Sequence, residues 1–133
     1  MNAGKDGGRG QAPRILVVDD ERSLRGLLSK ILRREGYAVV EADCGEAALQ
    51  QLAQRAVHLV ITDLRLPGVD GLEVLRHVRR SSPETQVVVL TAFGTVASAV
   101  EAMKLGAADY LTKPLQSPDE LRLVVREALA RRR

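Results

Sequence analysis

The chain has 133 residues and a mass of 14.5 kDa, with 45% hydrophobic, 28% charged and 2% aromatic residues and no tryptophan. That is the size of one domain able to close a single core. A lone cysteine excludes a disulfide framework or a cysteine-based metal cluster, and it suits a reducing cytoplasm. No apolar run approaches the roughly 20 residues that span a bilayer, so no membrane association is expected, and the opening MNAGKDGGRGQAP lacks the apolar centre of a signal peptide.

The net charge of +3 is unevenly placed. Residues 15–130 carry 14 Lys+Arg against 16 Asp+Glu, while the ends hold Lys5, Arg9, Arg14, Arg131, Arg132 and Arg133 against Asp6. The core shows neither a basic face nor interleaved aromatics, which argues against direct nucleic-acid binding by this domain.

In chain order, residues 1–12 are polar and glycine-rich and are expected to be a disordered tail. The glycines there do not make a phosphate loop, since no strand precedes them. Short β-branched runs then alternate with helical spacing. Ile15–Val18 predicts the first strand, and Leu24, Leu27, Leu28, Ile31 and Leu32 form a helical stripe stopped by Gly36. A second strand over 38–40 precedes a small-residue helix with Ala47, Ala48, Leu49 and Leu52. The third strand, 57–61, leads to Asp70 as an N-cap and a helix carrying Leu72, Leu75 and Val78, which ends at Ser81-Ser82-Pro83. The fourth strand, 87–90, is followed by Val96, Val100 and Met103 at helical spacing before Gly106. The fifth strand, 110–111, leads to a Ser117-Pro118-Asp119-Glu120 capping box and a last helix through Leu121, Val124, Val125, Ala128 and Leu129.

Five strands alternating with five helices predict a parallel sheet covered on both faces, because right-handed crossovers place helices there. Continuous apolar strands agree with burial on both sides. The expected fold is a three-layer, flavodoxin-like (βα)5 α/β domain over residues 13–131, with strand order 2-1-3-4-5.

The residues ending those strands carry the chemistry. Asp19 and Asp20 follow the first strand, Asp63 the third, Thr91 the fourth and Lys113-Pro114 the fifth. Ligands of open α/β sheets bind at the carboxyl ends of the strands, so three carboxylates, a hydroxyl and an ammonium are expected in one cleft. Crowded carboxylates repel unless a cation intervenes, and a few carboxylates plus water and phosphate oxygens suit Mg²⁺. A carboxylate is a competent nucleophile towards phosphorus. Asp63, central in sequence, is the expected acceptor, with Asp19 and Asp20 on the metal. Lys113 is expected to pair with Asp63 at rest and with a phosphoryl oxygen afterwards, and Thr91 to donate to another.

With these residues, the chain resembles the receiver domain of two-component response regulators over residues 13–131. The motifs are VVDDE at 17–21, LVITDLRLPGVDGLEVL at 59–75, VVVLTAFG at 87–94 and GAADYLTKPL at 106–115. The resemblance implies that Asp63 accepts phosphate from a sensor histidine kinase and that Asp20 is the direct Mg²⁺ ligand of the acidic pair. It also implies that the backbone carbonyl of Arg65 completes the protein ligands and that Lys113-Pro114 is a cis bond. Tyr110 matches the family's switch aromatic, turning as Thr91 moves towards the phosphate and remodelling the face of the fourth helix, fifth strand and fifth helix. That face is also the expected homodimer contact. From the residues alone, without the resemblance, Tyr110 reads rather as a half-buried strand aromatic packing the sheet.

Arg65 and Phe93, each two residues past an expected site residue, flank the path of attacking water and imply slow self-dephosphorylation. The segment 91–114 is most similar to the nitrogen-regulator-type branch attached to AAA+ activators of sigma-54 transcription. That likeness implies that the full-length protein carries an ATPase and a DNA-binding domain, and residues 132–133 read as a tail or the start of a linker. Asp43, Glu46, Asp70, Glu73 and Glu84 read as caps or solvated loop residues, and His58 and His77 as structural or surface residues. Cys44 reads as a loop residue, and Arg76, Arg79 and Arg80 as a solvated helix face or a kinase contact.

The leading expectation is therefore a cytoplasmic phosphoacceptor switch, not a conventional enzyme, acting in phosphorelay control of transcription. Two alternatives stand beside it. One is an aspartyl-phosphate phosphohydrolase, which needs a second acid where Arg65 stands. The other is a receiver used only for docking, which the intact acids, threonine and lysine argue against.

Overall fold

β-Branched and leucine runs place the strands, and each lies parallel to its neighbours. The computed structural model describes residues 11–92 and 94–131. The strands are β1 (Arg14–Val18), β2 (Ala38–Ala42), β3 (Leu59–Thr62), β4 (Gln86–Thr91) and β5 (Asp109–Thr112), and they form one sheet ordered β2-β1-β3-β4-β5. The helices are α1 (Arg22–Arg34), α2 (Gly45–Gln54), α3 (Gly71–Ser81), α4 (Val96–Lys104) and α5 (Pro118–Arg131). This is the expected flavodoxin-like (βα)5 arrangement. None of the described helices is long and apolar enough to cross a membrane.

Period-two alternation divides the core into two layers. Ile15, Val17, Leu59, Ile61, Val88 and Leu90 face α1 and α5, meeting Leu28, Leu32, Leu121 and Val125. Leu16, Val18, Val60, Val87 and Val89 face the other helices, meeting Ala48 of α2, Val74, Leu75 and Val78 of α3, and Ala102 of α4. Each large side chain buried in this way stabilises the fold by about 1.5–3 kcal/mol relative to exposure.

Helix ends follow the sequence signals in most places. Gly36, at φ +94°, closes α1 with a two-bond turn in which its N–H meets Arg33 O and the N–H of Tyr37 meets Leu32 O. The Asp70 side chain accepts from Glu73 N at the start of α3. The box expected before α5 takes a shifted form, with the Glu120 carboxylate accepting from Gln116 N rather than from Ser117. A full reciprocal box sits instead at α4, between Thr95 and Ser98.

Three further details go beyond the sequence signals. Cys44 is no passive loop residue, because its sulfur accepts from Ala47 N and caps α2. The arginines of α3 are not simply a solvated face. Arg76 pairs with Glu73 and with Glu101 of α4, and Arg79 donates to the carbonyls of Pro83 and Thr85, clamping the turn into β4. Finally, Val96, Val100 and Met103 point outwards, at 83%, 46% and 46% exposure, and α4 buries only Ala102. Residues 1–10, 132–133 and Phe93 lie outside the described residues, and so do most of the expected tails and the Phe93 side chain expected to flank the path of attacking water.

Candidate functional site

Sheet register sets the site before any side chain does. β1 and β3 end their pairing at Val18 beside Thr62, so Asp19 and Asp63 leave the sheet side by side. Each backbone extends the ladder one step further, with Asp19 N–H donating to Ala42 O and Asp63 N–H to Val18 O, both at 3.1 Å. Thr91 pairs with Thr112, and Lys113 N–H then donates to Thr91 O at 3.0 Å. Parallel pairing thus gathers residues up to 94 positions apart at one edge of the sheet.

The side chains converge as expected. One ligand oxygen each from Asp19, Asp20 and Asp63 lies within 4.8 Å of the others. Asp19 and Asp63 are buried, whereas Asp20 is exposed. Lys113 Nζ bridges the buried pair, at 2.8 Å from Asp19 Oδ2 and 2.6 Å from Asp63 Oδ2. Burial alone would push the Lys113 ammonium down, but hydrogen bonds to Asp19 and Asp63, and the charges of both, hold it above its ordinary value of 10.5. Backbone donors complete the shell, with Glu21 N–H on Asp19 Oδ1 at 2.8 Å and Arg65 N–H on Asp63 Oδ1 at 3.1 Å. Thr91 is fully buried at the end of β4. The Lys113–Pro114 peptide is cis, as expected.

Three hard oxygen donors with an exposed member, only partly offset on the buried side by one lysine, fit a small divalent cation. Two carboxylates share one ammonium, so a negative excess remains for that cation to offset.

Tyr110 is half-buried on β5, and its hydroxyl lies 3.0 Å from Ser98 Oγ. Its ring covers Gly94, where any Cβ would collide with the phenol oxygen. The packing and switch readings of Tyr110 therefore concern one side chain in contact with the first turn of α4.

Sequence reasoning missed the supports beneath these groups. Gly71 opens α3 so close to the end of β3 that a Cβ would collide with the Asp63 carbonyl oxygen, and its N–H bonds Leu64 O at 3.0 Å. Arg25 of α1 reaches Asp19 O with Nη1 at 2.8 Å and Glu41 of β2 with Nε at 3.0 Å. A signal for Arg25 was present: it stands one turn before Leu28 and Ser29 on the buried stripe, where a charge needs a partner.

A five-stranded 2-1-3-4-5 sheet with acids, a hydroxyl and a lysine at its carboxyl edge defines a class of α/β domain with an acidic pocket at its strand ends, and residues 15–126 match the model of the response regulator receiver domain. The chain belongs to that family. The response regulator protein FleR of Pseudomonas aeruginosa is 47% identical over 118 residues, covering 89% of this chain and 25% of its own length. The transcriptional regulatory protein ZraR of Klebsiella oxytoca is 42% identical over 124 residues, 93% of this chain and 28% of its own length. Among solved structures, the receiver domain of NtrX from Brucella abortus superposes with a TM-score of 0.82 at 39% identity, covering 87% of this chain and 98% of that one. These relatives agree with the nitrogen-regulator-type branch expected from residues 91–114. The chain spans about a quarter of the length of the two curated relatives.

Proposed function

We propose that the chain is a phosphoacceptor switch in which Asp63 takes a phosphoryl group from the phosphohistidine of a sensor histidine kinase. An Asp63 carboxylate oxygen attacks phosphorus, the new O–P bond forms as the N–P bond breaks, and the imidazole leaves with its electron pair. Asp19, Asp20, Asp63 and the backbone carbonyl of Arg65 would hold Mg²⁺, which when bound supplies charge stabilisation to the transferring group. Lys113 gives up its bond to Asp63 and takes a phosphoryl oxygen, keeping Asp19 as its second partner. The Thr91 hydroxyl donates to another phosphoryl oxygen. The one observation that carries this reading is the Lys113 bridge between two buried carboxylates with a third, exposed one alongside.

Docking of the donor has a surface beside that bridge. A groove of about 720 Å³ between α1 and the β5–α5 connection runs from Lys113 past Leu24, Leu27, Ile31, Pro114 and Leu115. Leu27 is 52% exposed there, and Lys30 and Arg34 stand on the lining. The kinase helix carrying the phosphohistidine occupies this groove in our reading.

The output runs through Tyr110 and Ser98 into α4, and the face of α4, β5 and α5 carries a phosphorylation-dependent homodimer. Its exposed Val96, Val100 and Met103 support that assignment. In the full-length protein this face governs an AAA+ and DNA-binding output at sigma-54 promoters in the cytoplasm, a reading supported by the likeness to a transcriptional regulatory protein. The domain itself contacts no nucleic acid and no membrane, and it turns over only its own phosphate, slowly.

Incubation with a small acyl phosphate and Mg²⁺ tests the reading by intact mass. The expected outcome is an adduct of about 80 Da, the mass of one phosphoryl group, that maps to Asp63 and is lost in Asp63→Asn. Steady phosphate release without an adduct indicates a phosphohydrolase, and no reaction indicates a receiver used for docking alone.

A further inference from the structure

Arg25 is the one charged side chain of α1 that turns under the acidic loop. Its side chain is only 16% exposed, and it makes two contacts from one planar group, Nη1 to the Asp19 carbonyl at 2.8 Å and Nε to Glu41 Oε1 at 3.0 Å. Its own place is fixed twice over, by Arg25 N–H donating to Glu21 O at 3.0 Å and by the buried Ser29 hydroxyl donating to Arg25 O at 2.9 Å. The Asp19 carbonyl belongs to the peptide joining the two acids. A peptide is planar, so anchoring that oxygen fixes the plane from which Asp20 departs. The other side of Asp19 is already tied, through its N–H to Ala42 O. Asp20 is the exposed member of the acidic trio, so among the three acids its direction depends most on that plane.

We propose that Arg25 is a positioning residue for the divalent cation: by holding the Asp19–Asp20 peptide from below, it aims the Asp20 carboxylate at the ion. This rests on the phosphoacceptor reading above. Arg25 acts through geometry, because Glu41 offsets its charge. A cation acting only through its field would repel the ion, so its removal would tighten binding. Loss of a support loosens it. The two roles therefore predict opposite signs.

The test is calorimetric titration of Mg²⁺ into the unphosphorylated chain, with far-ultraviolet circular dichroism as the check of folding. Arg25→Gln is expected to bind Mg²⁺ about tenfold more weakly than wild type, the scale seen when a support behind a metal ligand is lost. Arg25→Lys keeps the charge and stem without the planar fork and is expected to fall between the two. It also serves if the glutamine variant does not fold. Phosphorylation of Arg25→Gln by a small acyl phosphate is expected to return to the wild-type rate at saturating Mg²⁺, a recovery that general loosening of the fold would not give. Unchanged or tighter Mg²⁺ binding by a folded variant overturns the proposal. Failure of the wild type to bind Mg²⁺ at all counts against the phosphoacceptor reading instead.

Discussion

Two βα units flank the acidic pocket, and they are built to different standards. The β3–α3 unit carries Asp63. Its helix buries Val74, Leu75 and Val78, begins at Gly71 in direct contact with the Asp63 backbone, and is capped by Asp70. The β4–α4 unit carries Thr91. Its helix buries Ala102 alone, shows Val96, Val100 and Met103 to solvent, and is tied down by the Thr95–Ser98 box, the Tyr110 hydroxyl and an Arg76–Glu101 pair at 3.5 Å. One unit is a well-packed platform that sets Asp63 at the end of β3. The other is held mainly by a few polar contacts, and elements with so little apolar burial are the ones that open most readily.

The contrast is easiest to break with core deletions. Leu75→Ala is expected to cost about 3 kcal/mol in urea unfolding, as a fully buried leucine does, while Met103→Ala stays within about 0.5 kcal/mol. Similar costs for both would erase the distinction. A smaller effect is expected from the cap: Thr95→Ala loses about 1 kcal/mol, and hydrogen exchange should show that loss in the amides of α4 before those of α3. Uniform acceleration across both helices would mean that α4 does not open independently.

A last, gentler probe is alkaline pH. Lys113 is held above its ordinary 10.5 by Asp19 and Asp63 against the cost of burial. Tyr37 is held above 10.0 by burial and by Glu35, against the lowering influence of Arg126. Both folded values lie above the unfolded ones, so their stabilisation is complete below those ordinary values and is lost as pH rises through the raised ones. Denaturation midpoints should therefore fall in that alkaline window, and Lys113→Met should fall less steeply there. A wild-type curve that stays flat across the window would show that the bridge from the end of β5 to Asp19 and Asp63 adds no pH-linked stability.

Much of this was legible in the residues. Strands buried on both faces read as unbroken apolar runs, and the acids, threonine and lysine stood directly after them. Gly36 and Asp70 marked helix ends that the structure keeps. The direction of α4 was not legible, because helical spacing defines an apolar face without saying whether core or solvent receives it. Periodicity is equally silent about bonds between distant elements. Arg25 meets Glu41 across 16 positions, and Arg79 reaches Thr85 through a turn whose shape no pattern specifies. The thiol cap at Cys44 escaped notice because sulfur is a weak acceptor rarely sought at an N-cap.

That sulfur has a practical corollary. It does a serine's work at the head of α2, so Cys44→Ser should leave the helix start intact or firmer while stripping the chain of its only thiol. A single cysteine placed on the outer side of α4 then carries one spectroscopic label, and the chain has no native tryptophan to compete with its signal.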